Sequence, residues 1–257
     1  MNEDLLLKRE GRVLIATMNR PEKRNALNSR MCRDLVSAIE KANDDAGIGA
    51  ILLQGAGNTF CAGMDLEEVL DSEASELNAI HEKIFTLWAY IVKPIVASIQ
   101  GSAHGGGFGL VANAHVAISA DDAVFSLSEI RLGLWPYLIY RSVIMAIGER
   151  RTLELSLRAR SINASEALSC GLVHHIVPSE ELPRRSYEIA EELSLSSAEG
   201  IRSGMEFAKR MRGMDWKEAG VLAQQSRTQS FKSADFAEGV RAFQERRPPR
   251  WPSLETK

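Results

Sequence analysis

The segment at residues 95–109, IVASIQGSAHGGGFG, constrains this chain more than any other. Its apolar opening, Ile95-Val-Ala-Ser-Ile99, predicts a buried strand. A loop with Gly101 follows, then Gly105, Gly106 and Gly107, then an apolar stretch over 108–112 that predicts a helix. Glycines clustered between a strand and a helix permit close backbone approach and positive φ. They also leave unpaired N–H groups facing a cleft, able to bind an anion or an oxygen that becomes one.

Composition narrows the field. The 257 residues are 45% hydrophobic and 25% charged, enough for a sizeable core in one large domain or one with an appendage. A net charge of −3 and a pI near 6 give no footprint for nucleic acid. No apolar run nears the ~18 residues of a membrane span, and the charged N-terminus lacks a signal-peptide core. Cys32, Cys61 and Cys170 have no metal-type spacing, so a reducing cytoplasm is the expected compartment and no metal site is expected.

In chain order, residues 5–8 and 13–18 predict a hairpin about Glu10-Gly11-Arg12. A polar loop over 19–28 precedes a helix from Ser29, its expected N-cap, to about Asn43. A strand over 48–54 stops at a glycine turn, and a second strand–glycine–helix junction surrounds Gly63-Met64-Asp65. An amphipathic helix is expected over 75–91, strands at 115–119 and 124–127, and helices at 137–147 and 149–157. A short helix ending at Gly171 and a strand over 172–177 follow. Helices are expected at 180–195, 198–212, 215–229 and 235–245, with an extended proline-rich tail. Composition thus shifts near residue 190, dividing a mixed core, 1–190, from a helical region, 191–257.

The two glycine junctions lie about 40 residues apart, separated by one helix and one strand. Consecutive strands tend to be neighbours, which puts both junctions at adjacent carboxyl ends, where α/β folds bind ligands. One N–H from each can then converge on a carbonyl oxygen; losing one such donor typically costs ~3 kcal/mol of transition-state stabilisation. Two tight packing turns would explain the same pattern. Gly107-Phe-Gly109-Leu-Val-Ala112 fits a dinucleotide fingerprint only formally, because Gly109 falls inside the expected helix. Glu129, beside Leu132, Leu134 and Trp135, is a carboxylate near apolar walls and so a candidate proton carrier; the alternative is a surface glutamate paired with Arg131. His104 adjoins the glycines, either in the site or as a packed loop histidine, and no histidine has metal spacing.

These residues resemble the crotonase, or enoyl-CoA hydratase/isomerase, superfamily almost end to end. Residues 19–28 are similar to its N-R-P-x-x-x-N-A-L segment, Phe60-Cys-Ala-Gly-Met-Asp-Leu66 to F-x-A-G-x-D-[LI], and residues 93–107 to K-P-x-I-A-x-[VI]-x-G-x-[AC]-x-G-G-G. Residues 125–134 resemble F-x-x-P-E-x-x-[LI]-G, residues 164–173 A-x-E-A-x-x-x-G-L-V, and residues 238–248 the closing E-G-x-x-A-F-x-E-K-R-x-P. The resemblance implies an α/β fold: a spiral of repeated ββα units followed by C-terminal helices that form a homotrimer or dimer of trimers and contribute a lid. The ligand implied is an acyl-CoA thioester. Coenzyme A is then part of the substrate, and no separate cofactor, metal, nucleic acid or membrane is implied.

The resemblance also assigns residues. Oxyanion donors fall on the N–H groups of Met64 and Gly106. Lys23, Arg24, Ala26, Ala62, Asp65, Leu66 and Gly105 border the CoA ester, Trp135 shapes the acyl pocket, and Phe243 and Arg246 match positions that reach CoA in relatives. Two-carboxylate hydratases carry a glutamate where this chain has Gly109, and a second at Glu129, here preceded by Ser128 instead of proline. A glycine-rich segment of relatives is replaced by Trp135-Pro-Tyr-Leu-Ile-Tyr140, where Tyr137 or Tyr140 offers a hydroxyl. One carboxylate suffices for a 1,3-proton shift, so enoyl-CoA isomerisation by Glu129 is the expected reaction. Single-carboxylate hydration or hydratase-lyase chemistry is the alternative, followed by a non-catalytic acyl-CoA binder and a nicotinamide-dependent oxidoreductase.

Overall fold

Alternation along single strands sets the architecture of the computed structural model, which describes residues 3–71 and 74–255. Strands β1 (Leu5–Glu10) and β2 (Val13–Met18) form the expected hairpin about Gly11. Helix α1 (Ser29–Asp44) starts at Ser29, but its cap is Asn28 and not Ser29 as expected. Asn28 has extended backbone and its Oδ1 accepts from Met31 N at 2.8 Å. Ser29 N donates instead to Glu68 Oε2 at 2.7 Å.

Strand β3 (Ala50–Gly55) leads to α2 (Leu66–Asp71) and α3 (Ala74–Thr86). Helix α3 stops short of the expected residue 91, tightening into a 3-10 turn over Leu87–Ala89. Strand β4 (Ile95–Ile99) lies where expected, followed by a short strand the sequence did not signal, β5 (Ser102–His104), and by α4 (Gly106–Asn113). Then come β6 (Val116–Ala120), β7 (Val124–Ser126), α5 (Tyr137–Ile147), α6 (Glu149–Arg158) and a second unsignalled strand, β8 (Ser161–Asn163). Helix α7 (Ala164–Ser169) precedes β9 (His175–Val177), which is shorter than expected because Leu172 N and Val173 N fold back onto the Ala167 carbonyl. Helices α8 (Leu182–Ser194), α9 (Ala198–Arg210), α10 (Trp216–Ser230) and α11 (Ala234–Glu245) close the chain. The tail is not wholly extended: Pro252–Leu254 make a 3-10 turn anchored by Ser253 on Asp235. Among the described residues no helix is long and apolar enough to cross a membrane.

The main sheet runs β1-β2-β3-β4-β6-β9, parallel beyond the hairpin. A second sheet runs β5-β7-β8, and Cys61 extends it by pairing with Ala103. After β3 the chain passes through Cys61, after β4 through β5, and after β6 through β7. Each turn therefore lays one segment in each sheet, which is the expected spiral of ββα units.

Strands covered on both faces read as continuous apolar runs. Ile51, Leu53, Ile95, Ala97 and Ile99 enter the larger core with α1 residues Met31, Leu35 and Ile39. Leu52, Val96 and Ile118 face the other way, onto Leu182 and Ala190 of α8. Each such large aliphatic side chain contributes ~1.5–3 kcal/mol by leaving water. Ser98 and Ser186 satisfy each other across this second layer at 2.9 Å.

The polar loop between β2 and α1 is held by one buried side chain. Asn25 has no solvent exposure and a φ of 54°. Its Nδ2 donates to the carbonyls of Ala56 and Thr59 at 2.9 and 2.7 Å, and its Oδ1 accepts from Arg20 N at 2.9 Å. Removing it strands buried backbone groups, each worth ~1–3 kcal/mol. Asn25→Ala is therefore expected to lower unfolding free energy by roughly 2–4 kcal/mol in urea titration. An unchanged midpoint would show that the loop is held elsewhere.

Candidate active site

The site begins as backbone. Cys61 N donates to Ser102 O at 3.1 Å and His104 N to Cys61 O at 3.0 Å, locking the first glycine junction beside the second. Leu27 pairs with Met64: Leu27 N donates to Gly63 O at 2.7 Å and Asp65 N to Leu27 O at 3.0 Å. That register skips the Met64 N–H. Gly105 N donates to Ser126 O, and Gly106 opens α4, ahead of the helical ladder. Among the described residues neither the Met64 N–H nor the Gly106 N–H has an acceptor.

Two glycines make this approach possible. Gly63 has φ +96°, and a Cβ there would lie 2.8 Å from His104 O and 3.3 Å from Gly106 N. Gly105 has φ +50° and ψ −115°, a conformation closed to other residues.

Glu129 stands opposite. It opens a 3-10 turn, Glu129–Leu132, ended by Gly133 in the left-handed region. Arg131 does not pair with it; its Nη2 donates to Ala159 O at 2.7 Å, pinning the turn. A Cβ on Gly105 would lie 3.3 Å from Glu129 Oε1, so the carboxylate abuts the glycine bend. Its Oε2 is buried without a hydrogen-bond partner. Burial raises its pKa above the usual carboxylate range, opposed only by a hydrogen bond from its own backbone. A desolvated carboxylate with a free oxygen is a competent base.

These groups open onto a cavity of about 700 Å³. Of the residues expected at the site, Ala62, Met64, Leu66, Gly105, Gly106, Glu129 and Trp135 line it. Leu132, Leu134, Pro136, Tyr137, Leu138 and Ile139 make the far wall apolar. Tyr140 lies behind, its ring 5.7 Å from that of Trp135.

Other expected residues lie apart from the cavity wall. Lys23 and Arg24 are exposed and Ala26 half-buried; they adjoin the wall through the bond from Ala62 N to Arg24 O at 2.9 Å. Lys23 Nζ is paired with Glu67. The Asp65 carboxylate is turned away from the cavity onto Arg20 Nη1 at 2.8 Å, and caps Glu67 N. Burial pushes Asp65 up, but the Arg20 guanidinium outweighs it and holds the carboxyl below its usual range. Phe243 and Arg246 sit on α11 and its C-terminal cap, Phe243 in an apolar groove with Phe236, Val240 and Trp251. His104 packs its Nδ1 2.8 Å from Ser126 Oγ and does not line the cavity.

Gly109 lies inside α4, as the rejection of a dinucleotide fingerprint required. The space beside it is full. A Cβ there would sit 2.2 Å from Ile139 Cγ2 and 3.2 Å from Phe85 Cε1. An aliphatic residue from α5 and an aromatic from α3 occupy the volume a second carboxylate would need.

Comparison with known proteins places the chain in a family. The profile of the enoyl-CoA hydratase/isomerase family matches residues 8–254. The chain belongs to that family. A probable enoyl-CoA hydratase of Mycobacterium bovis, echA8, is 34% identical over 253 residues, covering 97% of this chain and 98% of its own. A hydroxycinnamoyl-CoA hydratase-lyase of Pseudomonas fluorescens is 30% identical over 218 residues, covering 81% and 79%. The crystal structure of an enoyl-CoA hydratase from Mycobacterium smegmatis superposes with a TM-score of 0.92 at 26% identity, covering 97% of this chain and 99% of the other.

Within this enoyl-CoA hydratase/isomerase fold, several cavity residues carried no sequence signal. Asn78, His81, Glu82 and Phe85 line it from α3, and Leu27 from the loop before α1. Leu27 belongs to the family-like 19–28 segment, so that segment was the only pointer to it. Helix α3 read as an amphipathic core helix, and nothing in its periodicity separates a wall facing a cavity from one facing a core.

The packing at Gly109 is directly testable. Gly109→Ala is expected to cost ~1–3 kcal/mol by overpacking, with Ile139→Ala in the same chain returning much of the loss. Urea denaturation of both single variants and the pair measures the coupling. Additive losses would mean that Ile139 does not fill this space.

Proposed function

We propose that this protein is an acyl-CoA-processing enzyme that shifts an enoyl-CoA double bond, using Glu129 as its single proton carrier. The observation that carries the reading is the filled space beside Gly109. No carboxylate stands at position 109, and Ile139 and Phe85 leave no room for one there. Hydration needs a water held, deprotonated and added, with a proton delivered to carbon, a task two carboxylates share readily. A 1,3-shift needs one base that takes a proton and returns it.

On a 3-enoyl-CoA, Glu129 removes a proton from C2 and the thioester becomes a dienolate. The Met64 and Gly106 N–H groups hold the developing oxyanion in place of water. The same proton, now on Glu129, returns at C4 and leaves the 2-enoyl product. Burial of Glu129 helps because a poorly solvated carboxylate is the stronger base toward carbon. The apolar wall from Leu132 to Ile139 receives the acyl chain. Ala62, Leu66 and the exposed Lys23 and Arg24 border the CoA portion.

Single-carboxylate hydration is the second reading, favoured by the names of the relatives above. One of those relatives is named a hydroxycinnamoyl-CoA hydratase-lyase. The exposed apolar side chains Phe236, Val240 and Phe243 suit burial between copies, in a trimer or dimer of trimers. A cytoplasmic setting suits the three free cysteines.

Glu129→Gln tests the reading. It is expected to lower kcat on a 3-enoyl-CoA by at least ~10²-fold, with a smaller change in KM. Wild-type kcat/KM should rise with pH on a limb above the ordinary carboxylate range. The raised folded pKa means ionisation opposes folding: the stability Glu129 contributes is present below its unfolded pKa and lost as pH rises through the folded one. At neutral pH Glu129→Gln should therefore melt no lower than wild type. Full activity of Glu129→Gln on both 3-enoyl- and 2-enoyl-CoA would assign the base elsewhere, and faster turnover of the 2-enoyl substrate would favour hydration.

A further inference from the structure

The charge inside the cavity is one-sided. Among the described residues that line it, Glu82 and Glu129 carry carboxylates, and none is lysine or arginine. Burial lowers the pKa of the lining His81, so its ring adds little positive charge at neutral pH. The basic residues adjoining these walls in sequence have other partners. Lys83 Nζ lies 3.0 Å from Glu40 Oε1, and Arg131 Nη2 donates to Ala159 O at 2.7 Å. Lys23 pairs with Glu67, and neither it nor Arg24 lines the cavity. The sequence extends the asymmetry: residues 66–82, LEEVLDSEASELNAIHE, contain no lysine or arginine.

Glu129 has a chemical role in the reading above, and Glu82 has none. Glu82 is exposed on α3, and among the described residues its carboxylate has no hydrogen bond or ion pair. An acyl group bringing its own carboxylate into this cavity would find no cation to pair with, and an unpaired charge leaving water is costly. It would also meet the like charge of Glu82. Such repulsion acts over about 10 Å at moderate ionic strength, so it does not depend on where along the acyl group the charge sits.

We propose that the cavity selects acyl groups by charge, Glu82 excluding those that carry a free carboxylate while uncharged ones are admitted. This rests on the acyl-CoA reading of the cavity. Glu82 acts here as a specificity residue, through its charge and without a hydrogen bond to substrate.

Saturated acyl-CoAs bind without reacting, so calorimetry separates this question from the type of reaction. Three are compared with free CoA: a plain alkyl ester, and two of equal length and shape that end in a carboxylate or in the uncharged carboxamide. Wild-type protein should bind the carboxamide ester roughly tenfold more tightly than the carboxylate ester, and the ratio should shrink as salt is raised. Glu82→Gln should bring the two dissociation constants several-fold closer, through tighter binding of the carboxylate ester. Melting curves check that this exposed substitution leaves the fold intact. Equal affinities in wild type, or a ratio that Glu82→Gln does not narrow, would overturn the proposal. A plain alkyl ester that binds no more tightly than free CoA would overturn the acyl-CoA reading of the cavity, and this inference with it.

Discussion

The site depends on one close approach of backbone to backbone, where Gly63 meets His104 and Gly106. Side chains larger than hydrogen would separate the two junctions, since a Cβ on Gly63 would already stand 2.8 Å from a carbonyl oxygen. The approach is held from both sides. Cys61 pairs with Ala103 in the smaller sheet, and Leu27 pairs with Met64. Arg20 completes the clamp by donating to Ala26 O at 2.7 Å while ion-pairing with Asp65. Two N–H groups from different turns of the spiral, those of Met64 and Gly106, are thereby left without an acceptor among the described residues, and donors held in place by backbone are the most effective kind.

The second constraint is the exchange of a carboxylate for packing. Two glutamates beside one substrate must be kept hydrated or hydrogen-bonded, because burying unpaired charge is expensive. Here Ile139 and Phe85 fill the space beside Gly109. Glu129 is itself buried, which raises its pKa, and its Oε2 has no hydrogen-bond partner. The filled space at Gly109 and the apolar wall from Leu132 to Ile139 meet at Ile139, which belongs to both.

Much of this was legible in the sequence, and for physical reasons. Long strands buried on both faces show as apolar runs, so β3 and β4 were evident. Glycines forced by positive φ marked both junctions, and motif order marked Glu129. Short elements were not legible: β5 and β8 are three residues each and carry no period. The cap of α1 fell one residue early because Asn28 and Ser29 are both good caps, and only Glu68, distant in sequence, claims the Ser29 N–H. Asp65 read as a site residue from its motif, while its carboxylate serves Arg20. The occupant of the Gly109 space was invisible, since Phe85 and Ile139 reach it from α3 and α5 through tertiary packing alone.

A crystal structure with a non-reactive acyl-CoA thioether or thioester analogue bound tests the central claim most directly. The account predicts a thioester oxygen about 3 Å from both Met64 N and Gly106 N, with the Glu129 carboxylate facing the carbons between which the double bond moves. An acyl group seated elsewhere, or an oxygen held by neither N–H group, would contradict it.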